Sequence, residues 1–118
     1  MSQWTTICQD EQLSSNLGIC ALVGSHQVAV FRVKDQVFAL ENFDPFSNAN
    51  VMSRGLVGDL KGHLVVASPI YKQHFDLASG QCLEDDTVSL KVFPVRLHEG
   101  VVQVMPTPLV GHVAERVA

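Results

Sequence analysis

The sequence contains two short irregular loops that set it apart from an ordinary chain of β-strands. Residues 42–47 read NFDPFS and residues 68–77 read SPIYKQHFDL, with 21 residues between Phe46 and Ser68. Each loop follows a strand-like run and places a proline directly after a small polar residue, at Asp44-Pro45 and at Ser68-Pro69. Because loops on a rigid β scaffold commonly carry recognition and chemistry, we expect the functional part of the molecule here.

The residues around these loops have the pattern of β-hairpins. Short apolar runs are separated by polar or glycine-containing turns, and no segment sustains a long helix. The predicted hairpins are residues 27–33 with 37–40 around Lys34-Asp35, residues 56–59 with 63–67 around Lys61-Gly62, and residues 90–97 with 101–105 around Glu99-Gly100. Residues 10–17 predict one short helical turn at most. The pattern indicates an all-β fold, a sandwich or small barrel.

The composition favours one globular domain and excludes several classes of partner. Hydrophobic residues make up 47% of the 118 residues, which is enough for a packed core. Eight Lys and Arg against twelve Asp and Glu give a net charge of −4, so the basic stripe that nucleic acid requires is absent. No apolar run approaches the roughly 20 residues of a membrane span. The prediction is a single domain over residues 1–118, with its core at about 4–105 and a tail at 106–118.

The N-terminus and the cysteines predict a cytoplasmic protein. The first residues have neither the basic nor the apolar region of a signal peptide. Cys8, Cys20 and Cys82 are odd in number, widely spaced and form no CxxC pair. This pattern is typical of reduced thiols that pack as small hydrophobic residues.

The two loops, together with the closing segment Phe93-Pro94-Val95-Arg96, resemble the Rieske family of [2Fe–2S] domains. The resemblance covers about residues 4–105 and implies a Rieske-like β-sandwich of small antiparallel sheets. In that family each loop supplies one cysteine and one histidine, so that two cysteines hold one iron and two histidines hold the other. On this chain the resemblance assigns the four ligand positions to Asp44, Phe46, Ser68 and Tyr71.

The four replacements predict a Rieske-like domain that lacks its cluster. Carboxylate and hydroxyl oxygens replace thiolates poorly at a soft iron–sulfide core, and phenylalanine has no donor atom. We therefore expect no metal or cofactor on this chain, which excludes a Rieske electron carrier. We expect the rings of Phe46 and Tyr71 to form a small satellite core, with the tyrosine hydroxyl bonded to a polar partner such as Asp44. His74 is expected to bond backbone or water, and residues 84–86 to form a solvated acidic loop.

Two further runs are similar to one subfamily of the Rieske-like group. The tetrad Lys72-Gln73-His74-Phe75 and the run GQCLED at residues 80–85 resemble the small subunit of the NAD(P)H-dependent assimilatory nitrite reductase. The resemblance implies a cytoplasmic oxidoreductase that reduces nitrite to ammonium. It also implies a large-subunit partner that carries FAD, the nicotinamide site, a [4Fe–4S] cluster and sirohaem.

The functional prediction is an accessory subunit that is itself non-catalytic and that docks on the large subunit or stabilises it. The candidate docking residues lie in the two loops and are Pro45, Pro69, Lys72, Gln73 and His74. The alternative is a stand-alone, cluster-free binding or chaperone-like module. A large-subunit partner distinguishes the first function from the second.

Overall fold

The computed structural model describes residues 3–109 and is built of short antiparallel strands, which confirms the all-β prediction. The described strands are β1 Thr5–Gln9, β2 Gly18–Val23, β3 His26–Val33, β4 Gln36–Glu41, β5 Phe43–Asp44, β6 Ala49–Asn50, β7 Leu56–Leu60, β8 His63–Ala67, β9 His74–Asp76, β10 Val95–His98 and β11 Val101–Val104. Two 3₁₀ turns, Asp10–Gln12 and Met52–Arg54, accompany them. The first is the helical turn expected within residues 10–17. The described part of the chain holds no helix that is long and apolar enough to cross a membrane.

The strands form three sheets of three strands and one two-stranded ribbon. Each predicted hairpin lies in one sheet: β3 and β4 in the central sheet β2-β3-β4, β7 and β8 in β7-β8-β9, and β10 and β11 in β1-β11-β10. Both residues of the turns Lys61-Gly62 and Glu99-Gly100 have positive φ, at 53° and 85° and at 51° and 83°. A tight hairpin turn requires this conformation, and glycine adopts it without steric strain.

The sequence pattern does not reveal β1 and β2. β1 pairs with β11 from Thr5↔Val104 onward, so its partner lies at the far end of the chain. β2 pairs along its whole length with β3, through a turn in which Gly24 has φ 61°. Conversely, residues 90–93 are not a continuous strand, since only Val92 bridges to β4 before Pro94 interrupts the pattern.

The central sheet separates two hydrophobic cores. Residues 28–31 of β3 are all fully buried, because alternate side chains of this strand enter different cores. Core 1 lies toward β7-β8-β9 and contains Ala29, Phe31, Leu40, Met52, Val66, Phe75, Leu77, Cys82, Leu90 and Val92. Core 2 lies toward β1-β11-β10 and contains Leu13, Val23, Val28, Val30, Ala39, Phe93, Val102 and Val104.

Core 1 supports the end of the molecule that carries the two loops. β8 ends at Ala67 and β9 begins at His74, so residues 68–73 connect them at one end of the sheet. β7 starts at the same end, because Leu56 pairs with Ala67. Gly55 packs so closely that an added Cβ would lie 2.4 Å from the carbonyl oxygen of Ala67. We call residues 44–48, 54–56 and 68–73 together the tip.

The chain beyond Met105 continues along the fold as far as the structure describes it. The backbone N–H of Leu109 donates to the carbonyl of Val92 at 2.8 Å, and its side chain packs against core 1. Of the tail predicted at residues 106–118, residues 110–118 lie outside the described part of the chain.

Candidate functional site

A direct hydrogen bond joins the two loops of the tip. Ser68 Oγ donates to Asp44 Oδ2 at 2.5 Å, and both side chains are buried. These are the two positions that the resemblance assigns to the cysteines of a Rieske cluster. Because a carboxylate acceptor makes a hydrogen bond shorter and stronger, this contact ties the loops together in the interior of the tip.

The rest of the Asp44 side chain is satisfied within its own loop. Oδ2 also accepts from Ser47 Oγ at 2.8 Å, and Oδ1 accepts from the backbone N–H of Phe46 at 2.9 Å. The Asp44 carbonyl accepts from the N–H of Asn48 at 2.8 Å, closing a turn in which Asn48 has φ 60°. An aspartate that accepts from the residue two positions ahead is the usual way in which Asx turns form. Both carboxylate oxygens are therefore occupied by protein donors.

The second loop closes on Ser68. The Ser68 N–H donates to the carbonyl of Gln73 at 2.9 Å, and the Lys72 N–H donates to the carbonyl of Ser68 at 3.1 Å. The Ser68 hydroxyl also accepts from the N–H of Ile70 at 3.3 Å. Lys72 adopts φ 69°, a conformation that favours glycine. The loop is thus closed by its own backbone hydrogen bonds and by the Ser68 hydroxyl.

The predicted satellite core of Phe46 and Tyr71 is wrong, because Phe46 packs on the main core and Tyr71 is exposed. The Phe46 ring is partly buried, packs against core 1, and lies 6.2 Å from the Phe75 ring between centroids. The Tyr71 side chain is exposed. The polar partner of Asp44 in the other loop is Ser68, not the tyrosine hydroxyl. Tyr71 directly precedes Lys72, the residue of this loop with positive φ.

His74 is held by Glu84 from the segment that follows β9. Its backbone N–H donates to Glu84 Oε1 at 2.8 Å, and its Nδ1 lies 2.6 Å from Glu84 Oε2. Partial burial opposes ionisation of Glu84, but these two contacts with His74 outweigh it and lower the pKa of this carboxyl. The expected partner of His74 was backbone or water, and the acidic loop was expected to be solvated. The expectation for His74 is wrong, because its ring contacts the Glu84 carboxylate, and a bridge between Phe75 and Cys82 brings the two segments together. The expectation for the acidic loop is confirmed, since Glu84 and Asp86 are exposed.

The other candidate docking residues lie in the tip and differ in how exposed they are. Pro45 and Lys72 are exposed, and the Lys72 ammonium donates to the carbonyl of Pro69 at 3.2 Å. Pro69 and Gln73 are partly buried, and the Gln73 Oε1 atom is buried without a hydrogen-bond partner among the described residues. Sequence reasoning missed Leu56, which is one of the most exposed apolar residues of the described chain. The sequence indicates Leu56 only as an apolar residue at the first position of a predicted strand.

The tip does not fit a [2Fe–2S] cluster. A Rieske cluster requires two thiolates and two imidazoles. At the four assigned positions, Asp44 and Ser68 are bonded to each other, Phe46 packs its ring on core 1, and Tyr71 is exposed. Within residues 3–109 no group of three or more His, Cys, Asp or Glu side chains is placed to hold a metal ion. Burial raises the pKa of the Cys82 thiol, so this neighbour of Phe75 is a poor source of thiolate.

Comparison with known proteins identifies the family. The model of the Rieske-like [2Fe-2S] domain matches residues 3–105. The nitrite reductase (NADH) small subunit of Salmonella typhimurium is 50% identical over 105 residues, which cover 87% of this chain and 97% of that protein. The chain belongs to the Rieske-like family of nitrite reductase small subunits.

Two further similarities extend this assignment. A crystal structure described as an NADH-dependent nitrite reductase small subunit from Mycobacterium tuberculosis superimposes with a TM-score of 0.87 at 46% identity, covering 92% of this chain and 99% of that one. The nitrite reductase [NAD(P)H] large subunit of Klebsiella oxytoca is 42% identical over 101 residues, which cover 86% of this chain and 11% of that protein. The family resemblance seen in the sequence is confirmed, and its members are named as parts of an oxidoreductase.

Proposed function

We propose that this chain is a cluster-free accessory subunit of a cytoplasmic NAD(P)H-dependent nitrite reductase. The observation that carries the proposal is the Ser68–Asp44 hydrogen bond at the two cysteine positions of a Rieske-like domain. A donor and an acceptor that satisfy each other leave no ligands for iron, so the chain transfers no electrons through a cluster of its own. The redox groups, namely FAD, a [4Fe–4S] cluster and sirohaem, belong to the large subunit.

The Klebsiella oxytoca relative supports a large-subunit partner. That protein is named as a large subunit and contains a stretch similar to most of this chain within a much longer polypeptide. A domain that occurs in one polypeptide with the large subunit is held at a high effective concentration beside it. We infer that the separate chain reaches the same position by non-covalent docking. This observation favours the accessory subunit over the stand-alone module.

In this proposal the tip is the docking surface and its hydrogen bonds prepare it for binding. The Ser68–Asp44 bond and the turns around it hold the loops in one shape without a metal. Loops that are ordered before binding lose less conformational entropy when they bind. The residues that contact the partner are then Pro45, Pro69 and Lys72. Gln73 and His74 hold the loop in shape, because the Gln73 carbonyl accepts from the Ser68 N–H and His74 is bonded to Glu84.

The test is to purify the chain alone and together with its large subunit. The chain alone should contain no iron or acid-labile sulfide and give no Rieske absorption or electron paramagnetic resonance signal, even after incubation with iron and sulfide under reducing conditions. It should co-purify with the large subunit in a fixed ratio, and nitrite reduction should depend on the cofactors of the large subunit. A Rieske spectrum from this chain would refute the cluster-free part. Failure to bind the large subunit would favour the stand-alone module.

A further inference from the structure

The tip exposes a group of large apolar side chains. Leu56 is 73% exposed, Tyr71 is 59% exposed and Ile70 is 46% exposed. They come from two segments that the backbone holds side by side, because Leu56 pairs with Ala67 at the end of β8 and the following loop closes back on Ser68. Neighbouring exposed apolar side chains mark interaction surfaces more often than isolated ones do.

Two cations flank these apolar side chains. Arg54 directly precedes Gly55 at the start of β7, and Lys72 directly follows Tyr71; both side chains are exposed. Among residues 3–109, neither forms an ion pair with a carboxylate. Asp44 is buried and already bonded, and Glu84 contacts His74. Arg54 and Lys72 are thus exposed cations that pair with no described carboxylate, on a chain whose net charge is −4.

We propose that the tip docks by inserting Leu56, Ile70 and Tyr71 into an apolar recess of the large subunit whose rim carries carboxylates. The proposal rests on the proposed function and specifies the chemistry of its contact. A few residues near the centre of an interface, tyrosine and arginine among the most frequent, contribute most of the binding energy, and the apolar side chains around them exclude water. Arg54 and Lys72 face the carboxylates of the rim, where charge complementarity raises the association rate and selects the partner.

The chain contains matched controls for each part of this surface. Leu22 on β2 is 72% exposed, nearly the same as Leu56, but it lies in a different sheet. Lys61 has the same left-handed backbone conformation as Lys72, and it lies in the turn at the opposite end of the β7–β8 hairpin. Substitutions at Leu22 and Lys61 therefore change the same atoms and the same charge away from the tip.

The test is to measure the dissociation constant of the complex between this chain and its purified large subunit at several salt concentrations. We expect Leu56→Ala and Tyr71→Ala each to weaken binding by about tenfold or more, and Leu22→Ala to leave it unchanged. We expect Arg54→Gln and Lys72→Gln to weaken binding at low salt and to reduce its salt dependence, and Lys61→Gln to have no effect. Thermal unfolding of each free variant shows whether it is folded.

The outcomes separate this inference from the function on which it rests. If the wild-type chain binds the large subunit and Leu22→Ala weakens the complex as much as Leu56→Ala, the location of the contact is wrong. If the apolar variants weaken binding while the cation variants behave like Lys61→Gln, the acidic rim is wrong. If the wild-type chain does not bind the large subunit at all, the proposed function fails as well.

Discussion

Ser68→Ala tests whether the hydrogen bond between the loops replaces the cluster as their connection. In the wild-type chain Ser68 Oγ donates to a buried carboxylate at 2.5 Å. Removing the hydroxyl leaves Asp44 Oδ2 with Ser47 as its only donor among the described side chains. A hydrogen bond to a charged group contributes about 1.5–3 kcal/mol, and the loss is at the upper end when the remaining partner is buried.

We therefore expect the free energy of unfolding to fall by about 2–3 kcal/mol in Ser68→Ala. For a chain of this size, roughly 4 °C of melting temperature corresponds to 1 kcal/mol, so Tm should fall by about 8–12 °C. Urea unfolding gives the free energy, and differential scanning calorimetry gives Tm. Hydrogen exchange followed by NMR should show the amide of Lys72, which donates to the Ser68 carbonyl, exchanging at least about tenfold faster.

The matched control is Ser47→Ala, which removes the other hydroxyl donor to the same carboxylate oxygen. Ser47 lies in the same loop as Asp44, so its bond does not connect the two loops. Because the Ser47 bond is only partly buried, we expect a loss at the lower end of the same range, about 1.5 kcal/mol, and unchanged exchange of the Lys72 amide. The reasoning would be refuted if Ser68→Ala were as stable as the wild-type chain, or if the two variants had the same effect on the second loop.

Three further predictions concern the surroundings of this bond. Phe46→Ala removes a partly buried ring from core 1 and should lower the free energy of unfolding by about 2 kcal/mol, measured by urea unfolding; an unchanged value would mean that the ring does not contribute to the core. Lys72→Gly places glycine at φ 69° and should leave stability unchanged or raise it by up to about 1 kcal/mol, while binding of the large subunit weakens; a clear loss of stability would contradict the conformational argument. Glu84→Gln removes a carboxyl whose pKa in the folded chain lies below its ordinary value of 4.5. The wild-type chain should therefore be more stable than the variant above about pH 4.5, and this difference should disappear as pH falls through the lower pKa of the folded state. Urea unfolding of both chains at a series of pH values measures this difference, and a constant difference down to low pH would show that the His74 contact does not stabilise the ionised form.

The hairpins could be predicted because their signals are local. Strand-like runs lie on both sides of Lys61-Gly62 and Glu99-Gly100, and the structure places a tight turn at each. The strands that escaped prediction depend on distant partners or lack alternation. β1 is recognisable only when Val104 is placed beside Thr5, and β2 contains the unbroken apolar run of residues 19–23, which shows no alternation.

The sequence predicts which two loops form the candidate site, but it does not predict the side-chain contacts between them. The spacing of the two loops and the motif ending in Phe75-Asp76 place Asp44 and Ser68 at corresponding positions. No sequence pattern indicates that these two side chains bond each other, because their contact joins residues 24 positions apart. The exposure of Tyr71 is likewise visible only in the structure.

The sequence by itself determined the class of fold and the family, because these follow from residue types and short-range spacing. Only the tertiary structure decided what occupies the place of the cluster and which side chains the tip exposes. The Ser68–Asp44 bond, the His74–Glu84 pair and the exposure of Leu56 all arise where segments distant in sequence meet. Such contacts depend on how the sheets pack around core 1, and packing is a property of the whole chain rather than of any segment.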